Sequence, residues 1–133
     1  MLKLTSASRY AVHALVYFAS QQTNQLVASH QVAQATGVPE KFLLKLLKPL
    51  VTARVLFSMK GPNGGYRLAR PAAKITLLDV VEAMDGPMYG DVAFTAAGDA
   101  GMDRRLQEVF EQAAGIVRRE FQKVKISDFQ QHG

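Results

Sequence analysis

The stretch Lys60-Gly61-Pro62-Asn63-Gly64-Gly65-Tyr66-Arg67-Leu68 decides how this chain is read. Three glycines and a proline in the five positions from Gly61 to Gly65 exclude helix and ladder, because glycine loses backbone entropy there and proline lacks an N–H donor. The segment must turn, and Asn63-Gly64 is the dipeptide expected to supply the positive φ angles of a tight hairpin. On either side, Val55-Leu56-Phe57-Ser58-Met59 and Tyr66-Arg67-Leu68 carry the β-branched, aromatic and aliphatic residues of a short antiparallel pair. A plain connector and the wing of a DNA-binding domain share this form, and the neighbouring segments decide between them.

Upstream, Ser29 is placed to cap a short helix holding Val32, Ala33 and Thr36, and Gly37 stops it where a left-handed residue is wanted. Val38-Pro39 follows, with the proline suited to the first turn of another helix. In that helix Phe42, Leu43, Leu46, Leu47, Leu50 and Val51 form one stripe, while Lys41, Lys45 and Lys48 recur at i, i+4, i+7 on another. One face is expected in a core and the other is cationic. Pro49 removes the hydrogen bond its amide would have given Lys45, so a bend or early fraying is expected there. Two helices joined by a glycine turn, the second faced with lysines and followed by a hairpin, make a helix-turn-helix with a wing.

Charge supports that reading. Residues 1–70 hold nine Lys/Arg against one acid, Glu40, whereas residues 71–133 hold seven basic and ten acidic residues. The first part attracts polyanions through phosphate contacts and counterion release. With 133 residues, 48% of them hydrophobic, the chain is long and apolar enough for one globular domain with an appendage. It has no cysteine, which excludes disulfides and thiolate catalysis. Arg9 and His13 interrupt the apolar opening, so a cytoplasmic protein with neither signal peptide nor membrane span is expected.

Thr5 or Ser6 caps a first helix with Ala7, Tyr10, Ala11, Ala14, Leu15, Phe18 and Ala19 at helical spacing. After the hairpin, Thr76 caps a short packing helix that ends at Gly86-Pro87. Residues 87–101, rich in Gly, Ala and Asp without period, read as a flexible loop. From residue 102, Leu106, Val109, Phe110, Ala113, Ile116, Val117 and Phe121 form a long amphipathic stripe. In so small a chain the economical cover for that stripe is the same helix of a second subunit, so a homodimer is expected. The organisation is then a DNA-binding domain with packing helix over 1–86, the loop, and a dimerisation helix with tail over 102–133.

Four stretches together resemble the Rrf-two family of bacterial winged-helix regulators: Leu4-Thr5 with Arg9-Tyr10-Ala11-Val12, Thr36 to Leu43, Gly61 to Arg70, and Ile75 to Ala83. The resemblance implies a mainly α fold with one small β-hairpin, a winged helix-turn-helix, double-stranded DNA as partner and a crossed dimerisation helix. Many members of that family hold an iron-sulfur cluster on three cysteines between the packing helix and the long helix. Here that region has none, and such clusters require thiolates, so no cofactor and no metal are expected.

The residues that would touch DNA follow from placement. Lys41, Lys45 and Lys48 point into or along the major groove, with Pro39 and Glu40 nearest the base edges. Thr5, Ser6, Arg9 and Ser29 stand at helix starts, where hydroxyls and free amides can hold phosphate oxygens. In the wing, Lys60 resembles the basic residue that family members send into the minor groove, and Gly61, Pro62, Asn63, Gly64, Gly65 and Tyr66 bring the backbone close to phosphate. Arg67 and Arg70 have two readings, a DNA-backbone contact or an ion pair with acids of the second part. His13, His30 and His132 show no ligand spacing, and no nucleophile-base-acid set is visible, which argues against an enzyme. The expected function is a sequence-specific, homodimeric transcriptional repressor. The alternative is a winged-helix module for a protein or structured RNA. With no cysteine, the candidate signal is an unidentified small-molecule effector, a metal on other ligands, or none.

Overall fold

The computed structural model of the chain describes residues 2–92 and 98–132. Five α-helices and one two-stranded antiparallel sheet appear in the order α1 (Ser6–Ala19), α2 (Ser29–Thr36), α3 (Glu40–Thr52), β1 (Leu56–Met59), β2 (Gly65–Leu68), α4 (Leu77–Asp85) and α5 (Ala100–Lys123). Short 3-10 segments follow β2 (Ala72–Lys74) and α5 (Ile126–His132). The mainly α winged helix-turn-helix read from the sequence is the architecture found. Among the described residues no helix is long and apolar enough to cross a membrane.

Three helices build the core. Ala11, Ala14, Leu15 and Phe18 of α1 meet Val32 of α2 and Leu43, Leu46, Leu47 and Leu50 of α3, all buried. Each fully buried leucine contributes roughly 1.5–3 kcal/mol relative to exposure, so this face fixes the rotation of α3 about its axis. Phe42 departs from the expected stripe: it is half exposed, and its ring meets Tyr10 edge-on at 5.8 Å. Pro49 does not end its helix. α3 runs on to Thr52 because Leu50 anchors the next turn in the core and the Pro49 carbonyl accepts the Ala53 amide at 2.9 Å.

The caps are partly those expected. Thr5, rather than Ser6, caps α1, its hydroxyl accepting the Ser8 amide at 3.1 Å. Gly37 closes α2 in the left-handed conformation at φ 77°. Ser29 is not the cap of α2; that position falls to Ala28, one residue earlier. The reason lies in the preceding residue, where Val27 exchanges both backbone hydrogen bonds with Tyr66 of β2 and so carries extended chain right up to Ala28. Gln31 then accepts the Ala28 amide in place of a hydroxyl cap.

The C-terminal segment is more than a tail. Beyond α5 the chain returns to α4, with Leu77 donating to the Val124 carbonyl at 2.8 Å and Ile126 to the Ile75 carbonyl at 2.9 Å. Ile126 is fully buried and Phe129 packs beside it, so residues near 126 complete the core of the N-terminal domain. The expected boundary between a domain at 1–86 and a separate helix with tail therefore does not describe how the core is closed.

Thr76 caps α4 reciprocally: its hydroxyl accepts the Asp79 amide at 3.0 Å and Asp79 accepts the Thr76 amide at 2.9 Å. Arg70 joins this cap through a 3.0 Å ion pair with Asp79 and a hydrogen bond to the Lys74 carbonyl. Partial burial pushes the Asp79 carboxyl up, but the Thr76 backbone N–H and the Arg70 guanidinium outweigh it and hold the group below its ordinary range. A depressed carboxylate stabilises the fold above its unfolded pKa and stops doing so as pH falls through its folded value. Asp79→Ala should therefore lower the melting temperature by roughly 3 °C at neutral pH. The gap to wild type should close as pH falls below the ordinary aspartate range, about 3.9. Thermal melts across that range check it, and a gap of constant size would refute the assignment.

Candidate nucleic-acid interface

Burial of the α3 leucines turns Lys41, Lys45 and Lys48 to the opposite side of the helix, where all three are exposed. Among the described residues none of them, nor Lys60, has an ion-pair partner. Glu40, at the first turn of α3, is exposed, and Glu82 of α4 lines the groove that Lys45 and Lys48 edge. Pro39 precedes the helix at its N-cap, and Pro39, Glu40 and Lys41 are exposed while Leu43 seats the first turn in the core. Four unpaired cations outnumber the carboxylates of Glu40 and Glu82 beside them and can hold a polyanion, with donor and acceptor groups left over for its edges.

The wing stands beside this helix. β1 and β2 pair in the register Leu56↔Leu68, Phe57↔Arg67, Ser58↔Tyr66 and Met59↔Gly65, leaving Lys60 to Gly64 as the exposed or half-exposed tip. The positive φ angles fall on Gly61 (109°) and Gly65 (151°), not on Asn63-Gly64 as the dipeptide signal suggests. Gly64 is required for space: a Cβ there would lie 2.0 Å from the Met59 carbonyl oxygen. At Gly65 it would lie 2.6 Å from the Val27 carbonyl oxygen. Both glycines are thus explained by the hairpin and its seat on Val27, and the closeness they allow is to the chain itself.

The two arginines are now separated. Arg70 is the ion pair of the α4 cap, while the Arg67 guanidinium stacks on Phe57 across the hairpin, 4.3 Å from the ring centre. At the start of α1, the Thr5 hydroxyl donates to Asp85 at 3.1 Å, and Ser8, fully buried, donates to the same carboxylate at 3.1 Å. Asp85 thus brings its own negative charge to this helix end. Ser6 and Arg9 lie exposed beside it, and Ser29 is half-buried at the start of α2. The Ser8–Asp85 link, which ties α1 to α4, left no sequence signal, because a serine inside a helix is ordinarily solvent-facing.

The region after α4 is strapped to α5 as far as Val92. Met88 donates its amide to Glu82 at 2.7 Å and its carbonyl accepts from Arg118. Gln107 donates to the Gly90 carbonyl at 2.8 Å and accepts the Val92 amide at 3.1 Å. The expected flexible loop is therefore pinned over residues 88–92, and its residues 93–97 lie outside the described ones. No cysteine stands anywhere in the chain, and among the described residues no three His, Asp or Glu side chains come together. The donor set does not fit an iron-sulfur cluster.

On α5 the expected single stripe divides. Val117, Phe121 and Val124 are half-buried toward the chain's own domain. Met102, Leu106, Val109, Ala113 and Ile116 face outward, with Leu106 47%, Val109 42% and Ile116 55% exposed. Their alternating steps of four and three residues are those of a seam between two helices. Phe110, 40% exposed, lies between the two faces.

The profile of the Rrf2 family, described as iron-dependent transcriptional regulators, matches residues 4–132. A Mycobacterium tuberculosis (strain H37Rv) protein classed as an HTH-type transcriptional regulator, Rv1287, is 31% identical over 129 residues, 96% of this chain and 80% of that protein. Protein aau3 of Rhizobium meliloti is 43% identical over 84 residues, 63% of this chain and 54% of its own length. Among solved structures, CymR, the global cysteine regulator of B. subtilis, superposes with a TM-score of 0.76 at 22% identity, covering 100% of this chain and 99% of that one. IscR of T. potens gives 0.71 at 22% identity over 98% and 88%. At these identities the two structures show a shared fold.

Replacing Lys41 and Lys45 together by alanine should weaken duplex binding and lower the slope of log K against log salt by about 2, since each lost phosphate contact releases about one counterion fewer. Titrations at several salt concentrations measure it; an unchanged slope would refute the placement.

Proposed function

The chain belongs to the Rrf2 family of transcriptional regulators, and on that premise we propose that it is a homodimeric repressor that recognises a near-palindromic operator. The observation that carries the reading is the exposed Lys41-Lys45-Lys48 face beside a wing tipped by Lys60, with no acid but Glu40 in the first 70 residues. Each subunit lays α3 in a major groove, and the wing reaches the adjoining minor groove or backbone. Phosphate contacts by the lysines, helped by Arg9 and by Ser6 and Ser29, supply affinity. Base edges are met from the N-terminal end of α3.

Two-fold pairing follows from α5. Its outward seam is apolar and exposed among the described residues, and a symmetric copy supplies the same surface in complementary register. The two α3 helices then enter successive grooves about 34 Å apart. Repression follows if the operator overlaps a promoter, by exclusion of polymerase. We further propose that this member works without the iron centre that the family description implies. What supports this is the donor set, which offers no thiolate for a cluster, and the hold that Glu82, Gln107 and Arg118 keep on residues 88–92.

Selection from random duplexes by the purified protein tests the whole reading. A two-fold motif, the same with and without an iron chelator, is expected. A motif that disappears with chelator would overturn metal independence, and an absence of any enriched sequence would favour a protein or structured RNA partner instead. For the seam, Ile116→Glu should give a monomer by sedimentation at micromolar concentration where wild type is a dimer; a wild-type monomer would remove the basis for pairing.

A further inference from the structure

One side chain on the cationic face of α3 is unexplained by charge or by the core. Leu44 is 48% exposed, next in sequence to Lys45 and one turn from both Glu40 and Lys41. The other exposed apolar residue of this helix, Phe42, is engaged with Tyr10. Leu44 instead opens a shallow, mainly apolar groove between α3 and α4, together with Pro49, Ala53 and Ala83, edged by Lys45, Lys48 and Thr52 on the α3 side and by Glu82 on the α4 side. The lysines on its edge continue the face already assigned to phosphate, so the groove is part of the DNA side of the domain.

The N-terminal turns of such a helix are the ones that reach base edges. There, Glu40 can accept from cytosine N4, while the Lys41 ammonium serves phosphate. Neither can read the thymine C5 methyl, the apolar feature of the major-groove floor. We infer that Leu44 packs on a thymine methyl in each half-site and is a specificity-determining residue of this protein. The inference rests on the DNA-binding reading above. Burial of one methyl against the leucine corresponds to about a fourfold change in affinity.

The test replaces each thymine of the selected duplex by deoxyuridine, which removes the methyl and leaves the pairing edge unchanged. Wild type should lose about fourfold in affinity at one thymine per half-site. Leu44→Ala should bind more weakly and show no thymine-uracil difference at that position. Leu44→Met, which keeps an apolar side chain of similar volume, should restore most of the difference. Thermal melts of both variants should stay near wild type, because the residue is half exposed. Insensitivity of wild type at every thymine, or a half-site without thymine, would overturn the inference while leaving the operator reading intact. So would equal uracil sensitivity in Leu44→Ala, or a change in subunit dissociation as its main effect. Failure to enrich any duplex would remove the DNA-binding reading itself, and the inference with it.

Discussion

Burial of Leu43, Leu46, Leu47 and Leu50 against α1 is the interaction on which the rest of the molecule depends. It sets the rotation of α3, and the opposite side of a helix so fixed can only face outward. Lys41, Lys45 and Lys48 are therefore presented as a rigid row, at little entropic expense beyond that of their own side chains. Electrostatics alone could not place them, because lysines on a loosely held helix would still carry the charge but would not keep a fixed spacing. Leu44 is caught in the same geometry, an apolar side chain turned outward because the core already has four leucines inward.

The wing depends on that core at one remove. Its hairpin is anchored at both ends, by Leu56 in the core and by the backbone exchange between Val27 and Tyr66. Gly65 permits this seat because any side chain would strike the Val27 carbonyl. The same exchange shifts the start of α2 by one residue and leaves Ser29 without its expected capping role. A single close approach between a loop and a strand thus sets both the angle of the wing and the entry to the helix-turn-helix.

Closure of the domain comes from the far end of the chain. Ile126 and Phe129, more than forty residues beyond the end of α4 at Asp85, fill space beside Ile75, and backbone hydrogen bonds from Leu77 and Ile126 fasten the return. The long helix is consequently held at its C-terminal end by the domain and at its N-terminal half by the strap from Met88 to Val92. Between those restraints Leu106, Val109 and Ile116 are exposed among the described residues. The two faces of α5 thus differ in burial, although the sequence shows them as one continuous stripe: a period of 3.6 residues marks an apolar side but not how much of it the chain's own domain covers.

What the sequence determined by itself is local and periodic: the leucine and lysine faces of α3, the left-handed stop at Gly37, the turn from Gly61 to Gly65, the Thr76 cap of α4, and the absence of thiolates. Each follows from backbone sterics, helical period or ligand chemistry within a few residues. Contacts between distant segments were decided only by the tertiary structure. These include the positive φ at Gly65 in place of Asn63, the choice of Arg70 rather than Arg67 for the ion pair, the Ser8–Asp85 link, and the burial of Ile126. Short-range preferences are written in the order of residues, whereas these depend on which surfaces meet when the chain folds back on itself.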